Sequence, residues 1–157
     1  MSVEDINAIT GSVTSTDGTD TATTTATVFN EVDGTTGTDG NDIFKTFTGG
    51  SLDGGDGTDM LLVEDGSVDL SNVQNIEILK LDDTDGSDPL ELSVTDVFNL
   101  TDGGNELLIT GEGKVEIDST WTKNETTSTP EQSVYEAVYN GSDIKLIIDQ
   151  TVDTDLV

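Results

Sequence analysis

Apolar residues in this chain come in short runs separated by turn formers. From residue 67 onward the runs are "VDL" (68–70), "IEILKL" (76–81), "LEL" (90–92), "ELLIT" (106–110), "KVEI" (114–117), "VYEAVY" (134–139) and "IKLII" (144–148). Asn75, "DTDGSDP" (83–89), "DGGN" (102–105), Gly111, Gly113 and "NGSD" (140–143) punctuate them. Runs this short, with turn chemistry between them, predict an all-β body. One segment has a different period. In "SVTDVFNL" (93–100), Val94, Val97 and Phe98 fall on one helical face, and Ser93 stands three residues before Asp96, a relative of the capping box. One short helix is predicted there.

Residues 34–66 are rich in Gly and Asp and contain a repeat. "GTDGNDIFK" (37–45) aligns with "GGDGTDMLL" (54–62) at a constant offset of 17. Gly37 matches Gly54, Asp39 matches Asp56, Gly40 matches Gly57, Asp42 matches Asp59 and Phe44 matches Leu61. The pattern is that of the nonapeptide G-G-x-G-x-D-x-U-x, where U is a large apolar residue. The second copy fits at every defined position; the first has Thr38 in place of the second glycine. Glycines reach left-handed backbone angles without a Cβ penalty, which lets carbonyl oxygens turn toward one point. The aspartate adds a carboxylate, and U points into the interior. Two nonapeptides make one coil of about 18 residues, so equivalent turns stack at the spacing of paired strands, about 4.8 Å. A cation between stacked turns would take oxygens at roughly 2.3–2.6 Å, as calcium does; magnesium demands a tighter octahedron. The predicted calcium site lies between turns 37–42 and 54–59. Its expected donors are the carboxylates of Asp42 and Asp59 and the backbone carbonyls of Gly37, Asp39, Gly55 and Gly57. The intervening "TFTGGSLD" (46–53) reads as a degenerate nonapeptide with one residue deleted and no aspartate at the ligand position, so the opposite edge is not expected to hold a strong ion. A flexible Gly/Asp linker is the rival reading, but it would not place Phe44, Leu52 and Leu61 at intervals of eight and nine.

Residues 1–33 are Thr-rich and polar, with one alternating run, "TATTTATVF" (21–29). They read as a linker, an edge strand or the end of a preceding module; a Thr ladder facing ice or a crystal surface lacks the fixed period it would need. "DTDGSD" (83–88) approaches the start of an EF-hand loop, but its glycine comes one place early and no glutamate follows at the required distance. A plain turn is the expectation.

Charge sharpens the picture. The 157 residues carry 33 acids and five lysines, with no arginine, so the net charge is 5 − 33 = −28. Self-repulsion on that scale opposes compaction unless cations offset it. Nucleic acid and membrane surfaces need a basic patch and are not expected partners. With no His and no Cys, disulfides and ordinary zinc, copper, haem and iron–sulfur sites are excluded. No run of about 18 apolar residues exists to cross a membrane, and no cleavable export signal opens the chain. Only 32% of residues are apolar, so disorder without a ligand is an open alternative.

These residues resemble the calcium-binding repeats of RTX proteins, bacterial products of the type I secretion pathway. "VDLSNVQNIEILKL" (68–81), "LELSVTDVFNLTDGGNELLITGEGKVEI" (90–117) and "YNGSDIKLIID" (139–149) are similar to the C-terminal secretion-target domain of large RTX adhesins. The resemblance implies a short parallel β-roll (a β-solenoid) at 34–66, continuing into a β-rich cap at 67–157 that carries an uncleaved type I secretion signal. It implies calcium as the cofactor. As partners it implies an inner-membrane ATP-driven transporter, an adaptor and an outer-membrane channel. Such a chain would be secreted or held at the bacterial cell surface, a monomer, unfolded in low-calcium cytosol and folded outside. The terminal "TDLV" (154–157) is similar to the acidic-then-apolar tail of some of these substrates, with one apolar residue fewer. The alternative is an adhesive or ligand-binding module, in which Trp121 would be a sugar platform rather than a structural tryptophan. Catalysis is not expected, because no nucleophile–base pair is visible without His or Cys.

Overall fold

The computed structural model describes residues 8–14, 21–27, 29–45, 47, 49–64, 66–84 and 88–157. It is all-β with one short helix, as the pattern of runs predicts. A two-stranded antiparallel pair comes first, β1 (Ala8–Thr14) and β2 (Thr21–Thr27). The Thr-rich run at 21–27 is therefore a paired strand, and its partner β1 was not predicted from the sequence.

The main sheet is mixed. Six of its strands are mutually parallel: β3 (Asn30–Val32), β4 (Asp42–Phe44), β6 (Met60–Val63), β8 (Ile78–Thr84), β10 (Glu106–Ile117) and β13 (Ser142–Asp149), in that order. β12 (Gln132–Tyr139) then runs antiparallel to β13, and β11 (Thr122–Lys123) antiparallel to β12. Between β4 and β6 the chain visits a second small sheet as β5 (Leu52–Asp53), and between β6 and β8 it returns there as β7 (Val73–Gln74), parallel to β5. Thr36 makes a parallel bridge to Asp53 on that side.

Register aligns the core. Phe44, Leu61, Leu79, Ile109 and Ile148 are direct cross-strand neighbours and are all 0–1% exposed. Leu52 and Val73 of the second sheet join the same buried cluster. The interval of eight and nine between Phe44, Leu52 and Leu61 thus has the predicted meaning: all three face the interior.

The helix, α1 (Val94–Leu100), carries a complete capping box. The Ser93 side chain accepts from the Asp96 N–H, and the Asp96 carboxylate accepts from the Ser93 N–H. Its buried face is Val94, Val97 and Leu100, while Phe98 is half-buried against Tyr139 with ring centroids 5.2 Å apart.

Two expectations are corrected, and one strand was not foreseen. "VDL" (68–70) is irregular; Val68 and Leu70 pack on the core without ladder bonds. "ELLIT" and "KVEI" form one strand, β10, because Gly111 and Gly113 bend it without breaking it, with φ of 98° and 157° and a register shift at Glu112/Gly113. Its first half lies between β8 and β13; its second half lies between β9 (Leu90–Leu92) and β14 (Val152–Leu156). β14 escapes sequence reading because it alternates acidic and short residues around a single buried one, Val152. "NGSD" is a two-residue hairpin turn, with φ of 52° at Asn140 and 84° at Gly141, the positive values such a turn needs. Of "DTDGSDP", residues 85–87 lie outside the described residues.

Leu79 sits at the middle of the aligned core row. Leu79→Ala is expected to cost about 2–5 kcal/mol by denaturant titration. Val138→Ala, at a side chain 70% exposed, should stay within about 0.5 kcal/mol.

Candidate functional site

The corner that leads from β5 to β6 is residues 54–59, and the corresponding corner before β4 is 37–41 with Asp42 opening the strand. Both the Thr36–Asp53 bridge and the Ile43–Met60 pair are offset by 17, so the two corners have equal length and stack in register. The stack is backbone against backbone. A Cβ on Gly37 would come 1.8 Å from the Gly54 carbonyl oxygen, and one on Gly55 2.2 Å from that of Thr38. Gly57 lies over Gly40 in the same way: a Cβ on it would come 2.8 Å from the Gly40 carbonyl carbon, and its φ of 129° is one that glycine alone adopts without strain. The glycines of the repeat are therefore there for close approach as much as for turn geometry.

The two aspartates of the repeat are neighbours across the stacked corners. Asp42 and Asp59 are both 0% exposed, and Asp59 Oδ1 accepts the Asp42 N–H at 2.8 Å. Their free capacity differs. Asp42 accepts the Thr38 N–H at 2.6 Å and the Thr38 hydroxyl at 2.9 Å, so the residue that breaks the glycine pattern occupies the first carboxylate. Asp59 Oδ2 is buried with no hydrogen-bond partner among the described residues. Asp39 is exposed. None of the carbonyls of Gly37, Asp39, Gly55 and Gly57 accepts a backbone hydrogen bond among the described residues.

Sequence reading missed the third member of the column. Glu77 follows Asp59 by 18 residues, and its Oε2 accepts the Asp59 N–H at 2.9 Å, as Asp59 does for Asp42. The signal is there: "DIF", "DML" and "EIL" each place an acid before two apolar residues. It was obscured because the corner before Glu77 has lost its glycines. The β5–β7 register is offset by 21 and β6–β8 by 18, so that corner is three residues shorter, 75–77 instead of six. Asn75 takes its left-handed position at φ 55°, and its carbonyl lies 1.8 Å from where a Gly54 Cβ would be. Asp53 ties the corners together from the other side. It accepts from Asn75 Nδ2 at 2.7 Å, Gln74 Nε2 at 2.8 Å and the Gly55 N–H, and these bonds hold its carboxyl below the usual range.

Burial pushes the Asp59 carboxyl up to about 7, with the charges of Glu77, Asp42 and Asp53 adding to the effect and the Asp42 N–H opposing it. Glu77 is raised by burial too, against the bond from Asp59 N–H. A buried anion with one bare oxygen is costly unless it is protonated or met by a cation.

The buried Asp59 Oδ2 and carbonyls that accept no backbone hydrogen bond are hard oxygens of the kind calcium takes. Asp42 would contribute by exchanging its bonds to Thr38. Among the described residues no three acidic side chains converge as a metal cluster. The residues present fit a calcium ion on these terms. Trp121, the candidate sugar platform, is 3% exposed and part of the core. Comparison with protein-family models, curated proteins and solved structures finds no significant match.

Asp59 has a folded-state pKa above its unfolded value of 3.8. Its protonation therefore favours the metal-free fold fully below about 3.8, and this contribution is lost as pH rises through about 7. In chelator, Asp59→Asn is expected to raise Tm at pH 8 and to flatten its dependence on pH between 4 and 7. Thermal melts of both proteins across that range check this; parallel curves would contradict it.

Proposed function

We propose that this chain is the calcium-binding, export-directing end of an RTX-type secreted protein, folding only where calcium is abundant. One observation carries the reading: the bare, buried Asp59 Oδ2 inside a stack of two equal glycine corners. The alternation of β4, β6 and β8 with β5 and β7 supports a short β-roll at 34–66. In low calcium the corner carboxylates repel and the chain stays extended, as passage through a narrow channel requires. Outside the cell, calcium binds the folded form. At about 1,000 times its dissociation constant it adds about 4 kcal/mol per site, comparable with a small domain's whole stability. Residues 67–157 then supply the β-rich cap and the C-terminal signal read by the transporter, adaptor and channel. A signal at the C-terminus leaves first, so corners that fold outside oppose return.

Titration with calcium after chelation should raise Tm by roughly 10 °C, the shift about 4 kcal/mol gives a domain of this size. Calorimetry should show saturable heat that Asp59→Ala abolishes and Asp42→Ala weakens. A melting point and circular dichroism spectrum indifferent to calcium would refute the calcium half of the reading. Fusion of the whole chain behind a passenger in a type I-competent host tests export; a passenger retained in the cytosol refutes it.

A further inference from the structure

The outer face of the parallel ladder carries a second apolar row. Ile43, Met60, Ile78, Leu108 and Ile147 are direct cross-strand neighbours, one per strand from β4 to β13. Each lies next in sequence to a member of the buried row, so all five point away from the core. All are part-exposed, whereas the inner row is 0–1% exposed. Parallel strands are as a rule covered on both faces, and a solvated face ordinarily alternates to polar residues. Two residues along the strands this face carries Lys80 and Thr110 beside Leu62. Four strand spacings make the row about 19 Å long.

Its borders are charged. Glu64 and Asp82 follow the paired Val63 and Leu81, and Asp82 is in register with Glu112, so three exposed acids sit side by side on adjacent strands. Like charges in direct register destabilise a sheet. They flank a groove of about 520 Å³ lined by Lys80, Asp82, Thr110, Glu112 and Asp149. On the other border Glu106 and Glu136 flank Lys145, which is paired to Glu106 at 2.5 Å.

We infer that this face docks a basic amphipathic helix of a partner protein, its apolar stripe on the Ile43–Ile147 row and its Lys/Arg edge over Glu64, Asp82 and Glu112. The geometry selects a helix. Apolar positions every three to four residues advance about 5 Å along a helix, close to the 4.8 Å between strands, so each turn meets one strand. About 13 residues span the row. The acid row lies four residues along the strands, about 13 Å away, within reach of long basic side chains on a helix about 10–12 Å wide. Charge selects the partner: a second copy would bring another −28 against the same acids.

The test uses the full chain in calcium and a fluorescein-labelled, 14-residue Leu/Lys peptide with leucines at helical spacing. A scrambled peptide of the same composition and a Leu/Glu counterpart serve as controls. Anisotropy should show the amphipathic Leu/Lys peptide binding at least ~10-fold tighter than the scrambled one, with no binding of Leu/Glu. Ile78→Thr/Leu108→Thr leaves every charge in place and should weaken binding ~10-fold or more. Asp82→Asn/Glu112→Gln should weaken it several-fold and flatten its salt dependence; losing mutual repulsion, this variant is not at risk of unfolding. Equal affinity for ordered and scrambled peptides, or for wild type and a folded Ile78→Thr/Leu108→Thr variant, means attraction by net charge alone and overturns the proposal. So does sedimentation showing a dimer that the same pair of substitutions dissolves, since the face would then belong to a second copy.

Discussion

The stacking of backbone on backbone at the glycine corners sets the terms for everything around it. Gly37, Gly54, Gly55 and Gly57 bring one corner against the next at distances that no Cβ would survive. That approach fixes the strand register at an offset of 17, and the register places Phe44 beside Leu61 and Asp42 beside Asp59. Core row and acid column are two results of one constraint. A residue with a side chain at Gly54 would displace both the Asn75 carbonyl and the Asp59 carboxylate.

The acid column meets two opposed demands. Asp59 and Glu77 each accept the N–H of the acid before them in the column, and Asp42 accepts that of Thr38 in its own corner, which satisfies donors that the tight corners would otherwise leave bare. Yet three acids in succession, two of them fully buried, concentrate negative charge where it is least screened. Thr38 quiets Asp42 with two bonds, and the Asp102 N–H joins that of Asp59 on Glu77. Asp59, in the middle, keeps an oxygen that no described residue meets. A divalent cation or a proton resolves the conflict, and in a chain with five lysines against 33 acids an internal ammonium is scarce. The lysines in ion pairs lie elsewhere: Lys45 with Glu31, Lys114 with Asp155, Lys145 with Glu106.

Much of this was legible in the sequence where local chemistry dictates structure. The Ser93–Asp96 box announced α1, Asn140–Gly141 announced its hairpin, and the spacing of Phe44, Leu52 and Leu61 announced their burial. What the sequence hid was set by distant partners. β14 has one buried residue and forms because β10 offers it an edge. Gly111 reads as a turn, but a bend suffices there because its backbone lies against the Leu81 carbonyl. Glu77 sits in a corner that shed its glycines, so the motif that located Asp42 and Asp59 passes over it. Thr38 looked like a blemish in the repeat and is instead the partner of Asp42.

The two ends of the ladder consequently rest on different physics. From β8 onward, pairing is reinforced by a capped helix, a two-residue hairpin and a large apolar cluster that includes Val97, Leu107, Trp121 and Ile144. Toward β3 the strands shrink to three residues, the second sheet is two residues deep, and the corners hold the buried acids. Apolar burial stabilises both ends, through Phe44, Leu52 and Leu61 toward β3 and through the larger cluster beyond β8, but among the described residues only the end toward β3 sets it against buried carboxylates. β8 is the hinge between them, since Leu79 belongs to the apolar row and Ile78 directly follows Glu77. An ion at the corners would therefore stabilise the end of the ladder where the buried acids lie.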